Sequence, residues 1–256
     1  MKSWHCTAAL ALAAALTACS ERTTGTVSLS LSSLAAPGTT TPAIMAAGDS
    51  TVITMGNDTV ILRSVELVVR EVELKKVEAA ECDSVPDNGD CEEFETGPFL
   101  VALPLGAAAA TTEISVQAPV GLFDRLDFDI HKVDAVAEAA FVAAHPGFGD
   151  ISIKVTGTFS QAGTRSDFSY ITDLNASERA FLAPPLSVIG DGTTNVTLRF
   201  DVSAWFLNAG KTALVDPASG NTGQANENLV KDNIEASFEA FRDNNHDGRD
   251  DMNEGS

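Results

Sequence analysis

Between Asp243 and Glu254 the chain carries an unusual density of side-chain oxygens: Asp243, Asn245, Asp247, Asp251 and Glu254, with Gly248 in the middle of the run. Carboxylates and carboxamides are hard donors. Collected in this number, they suit a hard divalent cation with loose geometric demands, calcium more readily than magnesium, which insists on near-octahedral coordination. The competing reading is a solvated acidic tail. A second set, Asp127, Asp129 and His131, falls on alternate positions of one strand face. It reads either as a metal site or as a polar stripe facing solvent. The acidic stretch from Asp83 to Glu93 has the same two readings. No Gly-x-Ser-x-Gly elbow and no His-Glu-x-x-His pair occurs, so the usual signatures of serine and zinc hydrolases are missing. Trp205-Phe206 reads as core or edge packing before it reads as a sugar platform.

The residues Asp243-Asn244-Asn245-His246-Asp247-Gly248-Arg249-Asp250-Asp251-Met252-Asn253-Glu254 resemble the twelve-residue calcium loop of the EF-hand family. The resemblance implies side-chain ligation by Asp243, Asn245 and Asp247 and a backbone carbonyl from Arg249. Asp251 would act directly or through water, Glu254 as the bidentate ligand, and Gly248 at the sharp turn. Asp250 stands where EF-hands place an apolar residue, and only Gly255 and Ser256 follow. The loop is therefore more similar to the single calcium loops of dockerins and thrombospondin-type repeats, with an expected affinity of about 10⁻⁴–10⁻³ M. Before it, Leu229, Val230, Ile234, Ser237, Phe238 and Phe241 recur at three and four. That spacing predicts a helix from an Asn226 cap through Arg242, with Glu227 in its first turn.

At the other end, Lys2 precedes an apolar run from Ala8 to Leu16, and small residues lead to Cys19. This is the layout of a secretory signal and is too short for a membrane span. Leu16-Thr17-Ala18-Cys19 resembles the lipobox of bacterial lipoproteins, which implies cleavage before Cys19 and acylation of that residue. Ser20 follows, where an Asp would signal inner-membrane retention, so the resemblance points to the outer membrane, at its periplasmic face or the cell surface. Cys6 then leaves with the signal and Cys19 carries lipid. Cys82 and Cys91 remain as a disulfide pair in an oxidising compartment, or as half of a metal site with no neighbouring Cys or His to complete it. The formal charge of −20 repels phosphates and anionic lipids, which argues against nucleic acid as a partner.

The elements that must carry these ends are strands. Thr26 to Ser32 alternates strictly, and Asp58 to Val77 is the strongest strand signal, with an apolar phase that slips by one residue between Val69 and Val72. Such a slip marks a β-bulge or a bend. Phe99–Leu105, Ile114–Val116, Phe123–His131, a hairpin of 151–159 with 168–171 around Gly163, and Val196–Val202 follow. The stretches 35–50 and 83–97 read as loops, and 173–181 as a short helical turn halted by Pro184-Pro185. The expected fold is all-β: an antiparallel β-sandwich with a C-terminal α-helix and calcium loop. Gly25–Leu29, Ser64–Leu67, Phe99–Leu103, Pro119–Leu126 and Asn195–Asp201 resemble an uncharacterised family of bacterial lipoproteins with a prealbumin-like or immunoglobulin-like sandwich. The expected organisation is a signal at 1–18, a lipidated tether at 19–24, a sandwich at 25–207 and a helix with calcium loop at 208–256. The functional expectation is a lipid-anchored, calcium-binding module for a protein or glycan ligand, with no catalytic residues. The alternative is a surface carbohydrate-active or hydrolytic enzyme with carboxylates scattered over loops.

Overall fold

The computed structural model describes residues 24–33, 43–77, 91–95, 97–106 and 111–251. The proposed signal, Cys19, Cys82 and Glu254 lie outside them. Among the described residues thirteen strands form two sheets. The smaller contains β1 (Thr24–Ser32), β7 (Thr111–Pro119), β12 (Thr193–Phe200) and β13 (Phe238–Arg242) in the order β13-β12-β1-β7. The larger contains β2 (Ala43–Ala47), β3 (Ser50–Met55), β4 (Asp58–Lys76), β5 (Cys91–Glu95), β6 (Phe99–Ala102), β8 (Gly121–Ile130), β9 (Ile153–Gln161), β10 (Thr164–Thr172) and β11 (Ala176–Val188). Two short helices, α1 (Ala139–Ala144) and α2 (Glu227–Glu235), complete it.

The larger sheet is built on β4, whose 19 residues pair with β3, β6 and β5 along one edge and with β9 and β8 along the other. The slipped phase is a bulge. Register shifts between Arg70 and Glu73, and Glu71 takes φ +52 so that Val69 and Val72 both point into the core. Val27, Leu29 and Leu31 of β1 and Val196, Leu198 and Phe200 of β12 meet Val65, Leu67, Leu126 and Phe128 of the larger sheet in one continuous core. Phe128, Phe200 and Phe238 close the gap between sheets with edge-on ring contacts at 5.1–6.3 Å. Trp205 and Phe206 are fully buried, as their packing role required. A satellite cluster of Val68, Val133 and Phe148 packs the α1 segment on the outer face of β4.

Several expectations need correction. The sandwich is not wholly antiparallel, because β1 and β12 run parallel over Thr26–Ser32 and Thr193–Arg199. The predicted helix stops at Glu235, and Phe238–Arg242 is instead a strand paired with β12. Phe238 and Ala240 fit period two as well as period three to four, and the open edge of β12 decides between them. The segment after 207 thus contributes a strand to the sandwich itself. Nor is there a helical turn at 173–181. β11 begins at Ala176 and runs past Pro184-Pro185, where its register with β8 breaks between Phe181 and Leu186 around a cis Ala183–Pro184 bond. Parts of both stretches read as loops are strands: β2 and the start of β3 in one, β5 in the other.

Candidate metal centre

The C-terminal loop is entered from a strand, not from a helix, and it lies across the outer face of the smaller sheet. Ser30 and Ser32 of β1 and Thr197 of β12 point away from the core, yet all three have no exposed surface. The loop covers this face: Ser30 Oγ is 3.2 Å from His246 Nδ1, and Thr197 Oγ1 donates to Asp243 Oδ2 at 2.7 Å. Asp243 also ties its backbone N–H to the Asn195 carbonyl at 3.2 Å, continuing the β12–β13 ladder.

Asp243 is the pivot of the loop. Its carboxylate is fully buried and turns the chain around itself, accepting from the N–H of Asp247 at 3.1 Å and from that of Gly248 at 2.9 Å. The turn needs left-handed backbone at His246 (φ +57) and Gly248 (φ +78), and the second position is where the motif places glycine. Asn245 Oδ1 accepts from Asp247 N–H at 3.1 Å, and Asp247 Oδ1 from Arg249 N–H at 2.9 Å. Asp251 reaches back to the start of the loop, taking the backbone and side-chain N–H groups of Asn244 at 3.1 and 2.8 Å, with Arg242 at 3.6 Å. The structure therefore brings Asp243, Asn245, Asp247, Arg249 and Asp251 into one wound loop, while Glu254 lies outside the described residues. Among the described residues no three His, Cys, Asp or Glu side chains converge as a ready metal cluster. Asp243, Asp247 and Asp251 of the expected donor set are among those residues, so their carboxylates share one loop without converging on a point and accept from loop N–H groups instead.

The donor chemistry fits a hard cation. Three neutral donors solvate the Asp243 carboxylate, and among the described residues no Lys or Arg pairs with it. Burying a carboxylate among neutral donors makes a place where a cation would add most, since its charge would offset the desolvation of the group. Sequence reasoning found the loop but not its seat. Thr197, Asn195 and Ser30 were legible only as the polar half of two alternating strands.

The Asp127–Asp129–His131 stripe has a different occupation. Lys75, whose side chain is 4% exposed, bridges Asp127 at 3.1 Å and Glu73 at 3.0 Å. Arg125 and Arg179 approach Asp127 at 3.1 and 3.6 Å, and Arg70 meets Asp129 at 3.2 Å. Burial works against the Lys75 ammonium, but hydrogen bonds to Glu73 and Asp127 outweigh it and raise its pKa above the usual lysine range. His131 Nε2 sits 2.8 Å from the Glu138 carboxylate. Each of the three residues expected on this face thus has its own protein partner. Beside the stripe, Glu178 lines a cleft of about 300 Å³ with Glu71, Glu73 and Asp129. Burial first, and then the charge of Glu235, pushes its carboxyl up to about 7. Cys91 opens β5, and its proposed disulfide partner Cys82 lies outside the described residues.

The chain matches no protein-family model and no curated protein. Among solved structures it is similar to MbnP from Methylosinus trichosporium at 12% identity and a TM-score of 0.37, over 86% of this chain and 98% of that one.

Proposed function

We propose that this protein is a lipid-anchored, extracytoplasmic β-sandwich whose C-terminal loop binds calcium, and that it serves as a binding or scaffolding module for a protein or glycan. The reading of the loop is carried by the buried Asp243 carboxylate, held by Thr197, Asp247 and Gly248 with no Lys or Arg paired to it among the described residues. Asp243, Asn245, Asp247, the Arg249 carbonyl, Asp251 and Glu254 would hold the ion. Bound calcium supplies positive charge against the small sheet and fastens the loop to β1 and β12. Membrane attachment rests on the resemblance of Leu16–Cys19 to a lipobox, and the Ser20 that follows it supports the outer membrane as its site.

Thermal unfolding with calcium and with chelator tests the loop. A ligand at ten times its Kd stabilises the folded state by about 1.4 kcal/mol, so the midpoint should rise by a few degrees. In Asp243→Asn the rise should vanish. An unchanged midpoint in millimolar calcium removes the metal from this reading. The mass of the mature N-terminus tests the anchor independently, because an unacylated Cys19 rules it out. The hydrolase alternative has one observation in its favour, the high carboxyl pKa of Glu178 in its acidic cleft. It predicts glycoside or ester turnover lost in Glu178→Gln.

A further inference from the structure

We infer that the rim of the sandwich around Thr24 is the face this protein turns to the lipid bilayer, with Val77, Val120, Leu122 and Ile189 entering the headgroup boundary. The inference rests on the proposed lipid anchor at Cys19 and adds to it an orientation and a contact surface.

Backbone pairing gathers these four residues at one end of the molecule. Thr24, the start of β1, pairs with Pro119 at the end of β7, immediately before Val120. The Thr24 carbonyl accepts from Asp191 N–H at 3.2 Å, and the Thr26 N–H donates to the Gly192 carbonyl at 2.8 Å, which brings the 189–192 turn alongside. Gly121 pairs with Val188, placing Leu122 next in line, and Val77 N–H donates to the Leu122 carbonyl at 3.0 Å. All four side chains are open to solvent: Val77 38%, Val120 48%, Leu122 53% and Ile189 60% exposed. Among the described residues seven large apolar side chains are exposed, and four of them lie at this rim. Single exposed apolar residues need no explanation, but a local concentration does.

The occupant follows from where the rest of the chain leaves. Cys19 precedes Thr24 by five residues, a reach of at most about 18 Å even when fully extended. Acyl chains on Cys19 therefore hold this rim, rather than the opposite end, within reach of the membrane surface. So short a tether gives the rim a high effective concentration at the interface, where apolar side chains settle about 5–10 Å deep. Lys76, whose stem runs 3.4 Å from the position a Gly121 Cβ would take, suits the same boundary. Its methylenes can lie along that boundary. The highly negative remainder of the chain turns away from anionic lipid.

The test places a tryptophan at the rim of the mature, lipidated protein, which has shed Trp4 with the signal, in phosphatidylethanolamine–phosphatidylglycerol vesicles with brominated acyl chains. Leu122→Trp and Ile189→Trp are compared with Val136→Trp. Val136, 88% exposed, follows the other end of β8, about 30 Å from Gly121 at the strand rise. Trp205 is fully buried and provides a constant background. The expected result is flotation of all three variants, with blue-shifted and quenched emission at 122 and 189 and neither change at 136. Flotation without quenching at the rim overturns the proposed orientation while leaving the anchor intact. Quenching at 136 equal to that at the rim also overturns it. Emission at 122 already blue-shifted before vesicles are added shows that residues 78–90 or a second copy cover the patch, again overturning it. Absence of flotation removes the anchor, and the inference goes with it.

Discussion

Buried charge in this protein takes two opposite forms. Lys75 sits between Glu73 and Asp127 with Arg125 and Arg179 close by, so desolvation is offset by pairing on several sides. Removing Lys75 leaves Asp127 its two arginines but takes from Glu73 its partner, a loss at the low end of the about 3–5 kcal/mol typical of broken buried pairs. Lys75→Met should lose that much stability in urea unfolding, far more than a surface ion pair would account for. Glu178 is the opposite case, with no cationic partner among the described residues. Burial and the charge of Glu235 raise its carboxyl to about 7 in the folded chain. The unfolded chain ionises first, near pH 4.5, so stability falls as pH rises from there to about 7 and levels off above. Because the group is only half-buried and solvent screens part of the effect, replacing it by a neutral one should stabilise the protein by about 1 kcal/mol at pH 8 and flatten the slope between pH 4.5 and 7. Thermal midpoints across that range read the effect; a steeper slope in Glu178→Gln contradicts it.

Among the elements, β4 carries the most consequence, because five other strands register on it. Its close approach to β9 depends on Gly157, where a Cβ would stand 2.0 Å from the Ile61 carbonyl oxygen. Gly157→Ala must therefore push β9 off β4, and a cost of about 1–3 kcal/mol in unfolding free energy is expected. The bulge at Glu71 was visible as a slipped alternation, since period-two phase depends only on local spacing. The fate of Phe238–Arg242 was not visible. Five residues that satisfy both helical and strand spacing take whichever partner the fold offers, and the partner here is β12, some forty residues earlier.

For the whole molecule, a charge of −20 acts through self-repulsion that salt screens. Raising sodium chloride from low to physiological ionic strength should raise the melting midpoint without any specific site. Calcium chloride matched in ionic strength should raise it further, and the excess isolates the loop from the general field. If the two salts give the same midpoint, the benefit of calcium is screening alone. The exposed apolar rim at Thr24 belongs to the same scale, since it gives a strongly anionic body one face without that penalty at a membrane.

Local pattern alone specified most strands, the bulge, the oxygen-rich loop and the existence of a hairpin around Gly163, read at 151–159 with 168–171 and found at 153–161 with 164–172, because alternation and turn chemistry are short-range properties. It also specified which residues of β8 face inward, with Leu126, Phe128 and Ile130 buried as expected. Tertiary structure alone decided that β1 and β12 run parallel, that β11 continues past two prolines, and that Thr197 meets Asp243 across 46 residues of chain. It also gave the Asp127–Asp129–His131 stripe two ion pairs and a histidine–carboxylate contact by bringing Lys75, Arg70 and Glu138 to it. The physical reason is common to all of these. A side chain's own spacing determines the direction in which it points, but what it finds there depends on hydrogen-bonded edges and charges contributed by distant parts of the chain.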